Sequence, residues 1–453
     1  MTVRAVVSIL ALASSAGALP CRAQQPAPPP PPAAKPLGPI TNVSKDSLES
    51  VATAVEVGGG GVLVNDITAR RLLLFDSTLQ TSRVILDSAG EGASGYGTFP
   101  GSLLPYHGDS ALFIAPQALS MLVLSPAGAV ARVMAVPPSG GGLPALLGNI
   151  FGTPGFDAQG RLVYFAPPRF QAPAPSAGGG LPRMEPPDSA LIVRFDFATR
   201  TLDTAATIRI PKTRMEMSRD DQGHFHMAMT AFPPRTVDDW GVTSDGAIAV
   251  VRGLDYHVDW LEPDGTRNST PRMPYAWEHL TDEDKAALID STAKAMQVIM
   301  DSLPARMQRG GGGGVMGGQV TASRGAGGGG TNITIRVAPG GPGGPGGPGG
   351  GGGPVSTTIV PTVVRADASD VPDYRPPFGQ GAVRADRSGN LWIRTNKWVD
   401  GRPVYDVVDR KGELAERVQL PLHRTIAGFG PGVVYMAVQD SSGVAHLERA
   451  RVP

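Results

Sequence analysis

The sequence predicts an all-β chain, a six-bladed β-propeller, from three observations. A phrase built on an aspartate, a glycine and a short run of strand formers keeps returning: "DAQGRLVYF" at 157–165, "DGAIAVVR" at 245–252, "DRSGNLWIR" at 386–394. Short β-type runs recur between turn residues at a roughly 40-residue period, the rhythm of four-stranded sheets in series. The 453 residues include 60 glycines and 44 prolines but only 6% aromatics, a composition suited to many turns and few long helices. A β-sandwich would need fewer units, and a β-helix would show shorter, stricter repeats.

The chain opens with a secretory signal, residues 1–23. Arg4 supplies the positive start, Ala5 to Ala13 the apolar stretch, and "CRA" before Gln24 the small-x-small cleavage site. The apolar run is shorter than the about 20 residues a membrane-spanning helix needs. Lipidation at Cys21 is disfavoured because Pro20 stands where a small residue is expected. Cys21 is the single cysteine, so cleavage leaves a mature chain with no disulfide and no cysteine nucleophile. The expected location is periplasmic or extracellular, with no transmembrane segment after cleavage.

Residues 24–50 read as a proline-rich linker and lead-in. "PAPPPPPAAKPLGP" (26–39) is extended and has nothing to bury. The propeller is expected over 51–453. Its units fall at 60–86, 111–137, 156–165 resuming at 190–211, 242–274, 384–421 and 426–452. In each, the strand after the Asp-Gly turn is read as the inner strand, and the glycine is there because the turn needs positive φ.

Two insertions interrupt the units, at 166–188 and 276–372. Within the second, a helix is expected over 281–303. Thr281 and Asp284 resemble a capping box, and Asp282 and Glu283 suit the positive end of the dipole. Leu288, Ile289, Ala293, Met296, Met300 and Leu303 form a stripe expected to pack on the side of the propeller, and Pro304 is expected to end the helix. The glycine-rich tract 305–354 reads as disordered linker.

The texts "VVRGLDYHVDWLEPDG", "EHLTDEDKAALID", "VPDYRPPF" and "RADRSGNLWIR" resemble secreted bacterial six-bladed β-propeller proteins of the NHL and TolB-like groups. The resemblance covers about residues 51 to 452 apart from the glycine tracts. It implies the fold and little about function, because a propeller hosts enzymes and binding modules alike.

Function classes narrow by charge and by motif. Lysine plus arginine equals aspartate plus glutamate at 40 each, with no basic stripe interleaved with aromatics, so nucleic acid is not an expected partner. No P-loop, dinucleotide glycine fingerprint, G-x-S-x-G elbow or H-E-x-x-H is present. The candidate ligand-binding residues are Arg252 and Arg394, at matching places after "GAIAVV" and "GNLWI", with Trp392 beside the latter. Two guanidiniums at one channel would hold an anion. In "LDYHVDW", Asp255, His257 and Asp259 fall on one side of a strand. That row suits a metal or a proton-transfer histidine, or else a structural set tying blades together. His224 and His226 pair on one strand face without a third ligand, and no metal site is assigned.

The favoured function is a binding or scaffold propeller recognising a small molecule, or a peptide or protein of the cell envelope, at the central channel mouth. The alternative is a cation-dependent hydrolase or lactonase, in which Asn65 and Asp66 would help to hold a divalent cation. A third reading makes the 276–372 insertion an arm for envelope assembly.

Overall fold

The computed structural model describes residues 30–90, 95–138, 146–147, 151–168, 187–219, 225–309, 318–324, 331–337 and 355–453. The signal segment therefore lies outside the described residues. Six antiparallel four-stranded sheets form the blades of a propeller. Their inner strands are Val51–Glu56, Ser102–Pro105, Gly155–Phe156, Asp239–Val242, Phe378–Ala385 and Arg424–Gly430, for blades one to six in that order.

The phase of the repeat differs from the sequence expectation by one strand. The Asp-Gly turn follows the inner strand, so "GAIAVVR" and "GNLWIR" form second strands, Ile248–Arg252 and Leu391–Val399. Second strands lie between two neighbours and read as apolar runs. Inner strands break the apolar pattern with polar and small residues such as Asp239, Gly241 and Arg384, and one of their edges faces the channel.

The turn itself follows from the aspartate. In blade five the Asp386 carboxylate accepts the backbone N–H groups of Ser388 (2.8 Å) and Asn390 (2.9 Å), and Gly389 sits at φ 84°. Asp157, Asp409 and Asp440 accept from residues two and four ahead in the same way. Carboxylate and left-handed glycine together close the hairpin locally.

Burial sits between blades. Six apolar clusters fill the six gaps around the ring, with Trp392, Tyr405 and Phe429 between blades five and six, and Tyr256, Trp260 and Phe378 between four and five. No blade is stable alone, since each buries both faces on its neighbours. The approach is tightest where the ring closes: a Cβ on Gly428 would lie 1.9 Å from the Ala54 carbonyl oxygen, so a side chain there would force blades six and one apart.

The lead-in is part of the ring. Ile40–Val43 is the outer strand of blade six, antiparallel to Ala445–Arg451, and Lys35–Pro36 adds a parallel fifth strand to blade five. Within the span expected as linker and lead-in, Lys35–Pro36 and Ile40–Val43 thus belong to blades, while 24–29 lie outside the described residues. The C-terminal blade has only three strands of its own, and the open edge takes the N-terminal segment.

The second insertion and the segment between blades three and four build a seventh sheet that the sequence did not announce. Met215–Arg219 and Phe225–Ala231 precede blade four. Gly318–Arg324, Thr331–Val337 and Val355–Arg365 precede blade five. Phe225–Ala231 and Val355–Arg365 pair in parallel and join the two sets. The tract 305–354 thus contains regular strands, while the expectation for 310–317, 325–330 and 338–354 falls outside the described residues. So does residue 224, and with it half of the histidine pair; His226 lies on Phe225–Ala231.

The helix spans Asp282–Arg309 and runs through Pro304, which therefore does not end it. Its capping box forms: Asp284 N–H donates to Thr281 Oγ1 (3.2 Å) and Thr281 N–H to Asp284 Oδ2 (2.9 Å). Leu288 and Ile289 pack on Leu280 and Val371, and the helix lies against the seventh sheet in place of a blade flank. Among the described residues no helix is long and apolar enough to cross a membrane.

Candidate functional site

Each inner strand is hydrogen-bonded to one neighbour only, so its second edge of N–H and C=O groups faces the axis. Around that axis, at the end carrying the inner-to-second-strand turns, lies a cavity of about 420 Å³ lined from all six blades. Its size falls within the roughly 300–1,000 Å³ of small-molecule sites. One wall is aromatic: His107 lies edge-on to Tyr106 at 4.8 Å and tilted on Phe156 at 5.4 Å. Arg387 crosses the opening from blade five and donates from Nη2 to the Glu56 carbonyl of blade one at 2.7 Å.

Most charged groups of the cavity are already used. Asp157 pairs with Arg161 (2.7 Å), Asp245 with Arg410 (3.0 Å), and Asp386 accepts from Asn390 and Trp392. Two are not. Arg384, on the inner strand of blade five, makes no hydrogen bond or ion pair among the described residues, and neither does the exposed Asp109 carboxylate. Arg384 is half-buried by area but closely surrounded, and burial draws its guanidinium below the usual arginine value against the pull of Tyr405 and Asp239. It remains charged at any physiological pH.

Asp239, fully buried on the inner strand of blade four, stands close enough to act on Arg384 by its field. Its Oδ2 accepts the Val383 N–H at 2.7 Å, and its Oδ1 has no hydrogen-bond partner among the described residues. Burial pushes its pKa up to about 7, although the N–H groups of Val383, Trp240 and Ala382 oppose the rise.

The residues singled out in the sequence fall elsewhere, in two groups. Arg252 donates from Nε to Asp259 Oδ2 and from Nη1 to Asp238 Oδ2, both at 2.7 Å, and to the Thr207 carbonyl at 2.9 Å. Burial works against this cation and the two carboxylates outweigh it, so its pKa lies above the usual arginine value. His257 bridges Asp255 (2.7 Å) and Asp259 (3.2 Å), and Ser269 also donates to Asp259. These four residues gather at the far end of blade four from the channel cavity, and they are mutually paired. A second cavity of about 230 Å³ beside Arg252 and Asp259 opens between blades three and four.

Trp392 is fully buried between blades five and six, its Nε1 donating to Asp386 Oδ2 at 3.1 Å. Arg394 is exposed on the same blade, close enough to act on Tyr405. Neither joins the blade-four group. Asn65 accepts from Tyr96 (2.7 Å) and donates to the Gly101 carbonyl (2.9 Å), and Asp66 accepts the N–H groups of Glu49 and Ser50. Both pin loops. No group of three or more His, Cys, Asp or Glu able to hold a metal ion forms among the described residues.

Arg384 left a trace in the sequence. Two positions before the turn residue stands Gly155 in blade three and Gly241 in blade four, but Arg384 in blade five. The shift of phase by one strand hid it.

No protein-family model and no curated protein matches the chain. Solved structures do. A streptogramin B lyase is 10% identical, over 90% of this chain and 96% of that one, with a TM-score of 0.32. Regucalcin from Agrobacterium tumefaciens, a calcium-binding protein, is 11% identical over 92% and 96%, at 0.30. An oligogalacturonate lyase in complex with manganese is 11% identical over 92% and 99%, at 0.34. None of these likenesses carries a reaction to this chain.

Proposed function

We propose that the chain is a secreted binding propeller, of the NHL and TolB-like kind, that takes a small anionic or peptide-like ligand in its central cavity. One observation carries the reading: Arg384, which makes no hydrogen bond or ion pair among the described residues, lines a cavity to which every blade contributes. The Arg384 guanidinium lies within the field of Asp239 but donates to no acceptor among the described residues, and an incoming carboxylate supplies one through charge-assisted hydrogen bonds. The fold places backbone edges and an aromatic wall around it, which is recognition chemistry. The partner would be a free metabolite or a segment of an envelope protein.

The test is isothermal calorimetry and thermal shift on the wild type and Arg384→Gln, with a panel of mono- and dicarboxylates, their amides and short peptides. Wild type binds carboxylate-bearing members, and Arg384→Gln weakens them at least tenfold while keeping its melting temperature. Carboxylates that bind both forms equally, or bind neither, would defeat the reading.

A further inference from the structure

We infer that the ligand is a zwitterion of peptide type, a di- or tripeptide with both termini free, its carboxylate on Arg384 and its ammonium on Asp109. This inference rests on the anion-binding reading just proposed and deepens it.

Two of the cavity's charged side chains make no hydrogen bond or ion pair among the described residues. Of the cavity's acidic side chains, Asp157, Asp245 and Asp386 are spent on their turns and on Arg161, Arg410, Asn390 and Trp392. Of its guanidiniums, Arg387 is anchored by the Glu56 carbonyl, which accepts one of its N–H groups. The remaining pair is of opposite sign and comes from different blades: Arg384 from the inner strand of blade five, Asp109 from the first turn of blade two. A plain anion would satisfy Arg384 and leave Asp109 repelling it, whereas a ligand with one charge of each sign satisfies both.

Asp109 is held to this task by its backbone. It sits at φ 56°, in the left-handed region, and its carbonyl accepts the Gly58 N–H at 3.0 Å, fixing the turn of blade two to that of blade one. Asp109 is thereby held among the residues that line the cavity, as is His107. Between the two charges, the unpaired inner-strand edges offer alternating N–H and C=O groups, the complement of a peptide backbone. Tyr106, Phe156 and Phe429 give apolar surface for a side chain. A cavity of about 420 Å³ limits the occupant to a few residues.

The experiment uses trialanine with free termini, its N-acetyl form and its C-terminal amide, titrated calorimetrically into wild type, Arg384→Gln and Asp109→Asn. Free trialanine binds wild type best. The amide and the acetyl form each bind at least tenfold and about fivefold more weakly. Asp109→Asn erases the preference for the free amine and keeps that for the free acid; Arg384→Gln does the reverse. Acetyl and free peptides of equal affinity, with the acid still preferred, would overturn the zwitterion and leave the anion-binding reading standing. Trialanine that fails to bind, beside a carboxylate that does bind through Arg384, would have the same meaning. Indifference to both termini would remove both readings. Because the comparison among peptides is made on the wild type, it does not depend on either variant folding.

Discussion

A chain shortened to begin at Leu48 unfolds far below the full one and self-associates. The cut removes the outer strand of blade six, with Ile40 opposite Ala450, Asn42 opposite Arg449 and Val43 opposite Glu448. It also removes Ser44, whose N–H donates to the Leu447 carbonyl (2.8 Å) and whose Oγ accepts the Leu447 N–H (3.0 Å), and the Lys45 N–H bond to the Leu79 carbonyl (3.0 Å). At about 1 kcal/mol net per hydrogen bond, the loss is on the order of 5 kcal/mol, against a total stability of roughly 5–15 kcal/mol for a folded protein. The exposed edge Ala445–Arg451 then offers itself to another chain. Urea denaturation followed by fluorescence, with gel filtration alongside, measures both effects. An unchanged midpoint and a monomeric profile would mean that the N-terminal strand does not close the ring.

Asp239→Asn changes how stability depends on pH. In the folded chain burial holds the Asp239 pKa at about 7, against an ordinary carboxylate value near 3.8. Between those values the folded state binds the proton that the unfolded state has released. Stability from this group is therefore complete below about pH 4 and is lost as pH rises toward 7. The slope is on the order of 1.4 kcal/mol per pH unit, so the deficit at neutrality is of order 4 kcal/mol.

Asparagine keeps an oxygen to accept the Val383 N–H and cannot ionise. Burying its NH₂ group adds a cost that is the same at every pH, so the slope is the readout. Arg384, the charged group that acts on Asp239, is present in both forms. Denaturation at several values from pH 4 to pH 8 should show wild type losing stability with rising pH relative to the variant. Parallel curves would place the proton elsewhere.

The ring was legible because its turns are local. An aspartate with a glycine three residues on makes the same hairpin whatever surrounds it, and "DAQG" and "DRSG" announce it in sequence. The continuous apolar second strands, such as Ile248–Arg252, were equally plain. The inner strands were not. Gly155–Phe156 and Asp239–Val242 are two and four residues long, and their pairing depends on the ring that holds them. Without them Arg252 stands out although it already has its carboxylates, and Arg384, which makes no ion pair among the described residues, does not. The pairing of Phe225–Ala231 with Val355–Arg365 joins segments far apart in the chain through a parallel register that no local pattern encodes.

That distant pairing makes chain continuity dispensable nearby. A protease cut within residues 338–354 would divide the molecule into two pieces still gripping each other in several places. Those include the blade-four/blade-five and blade-six/blade-one interfaces, the N-terminal strands on blades five and six, and the parallel and antiparallel ladders of the seventh sheet. The nicked product should run as two bands under denaturing electrophoresis and elute as one species on a native column, so that the two halves can serve as a split pair that reassembles on mixing.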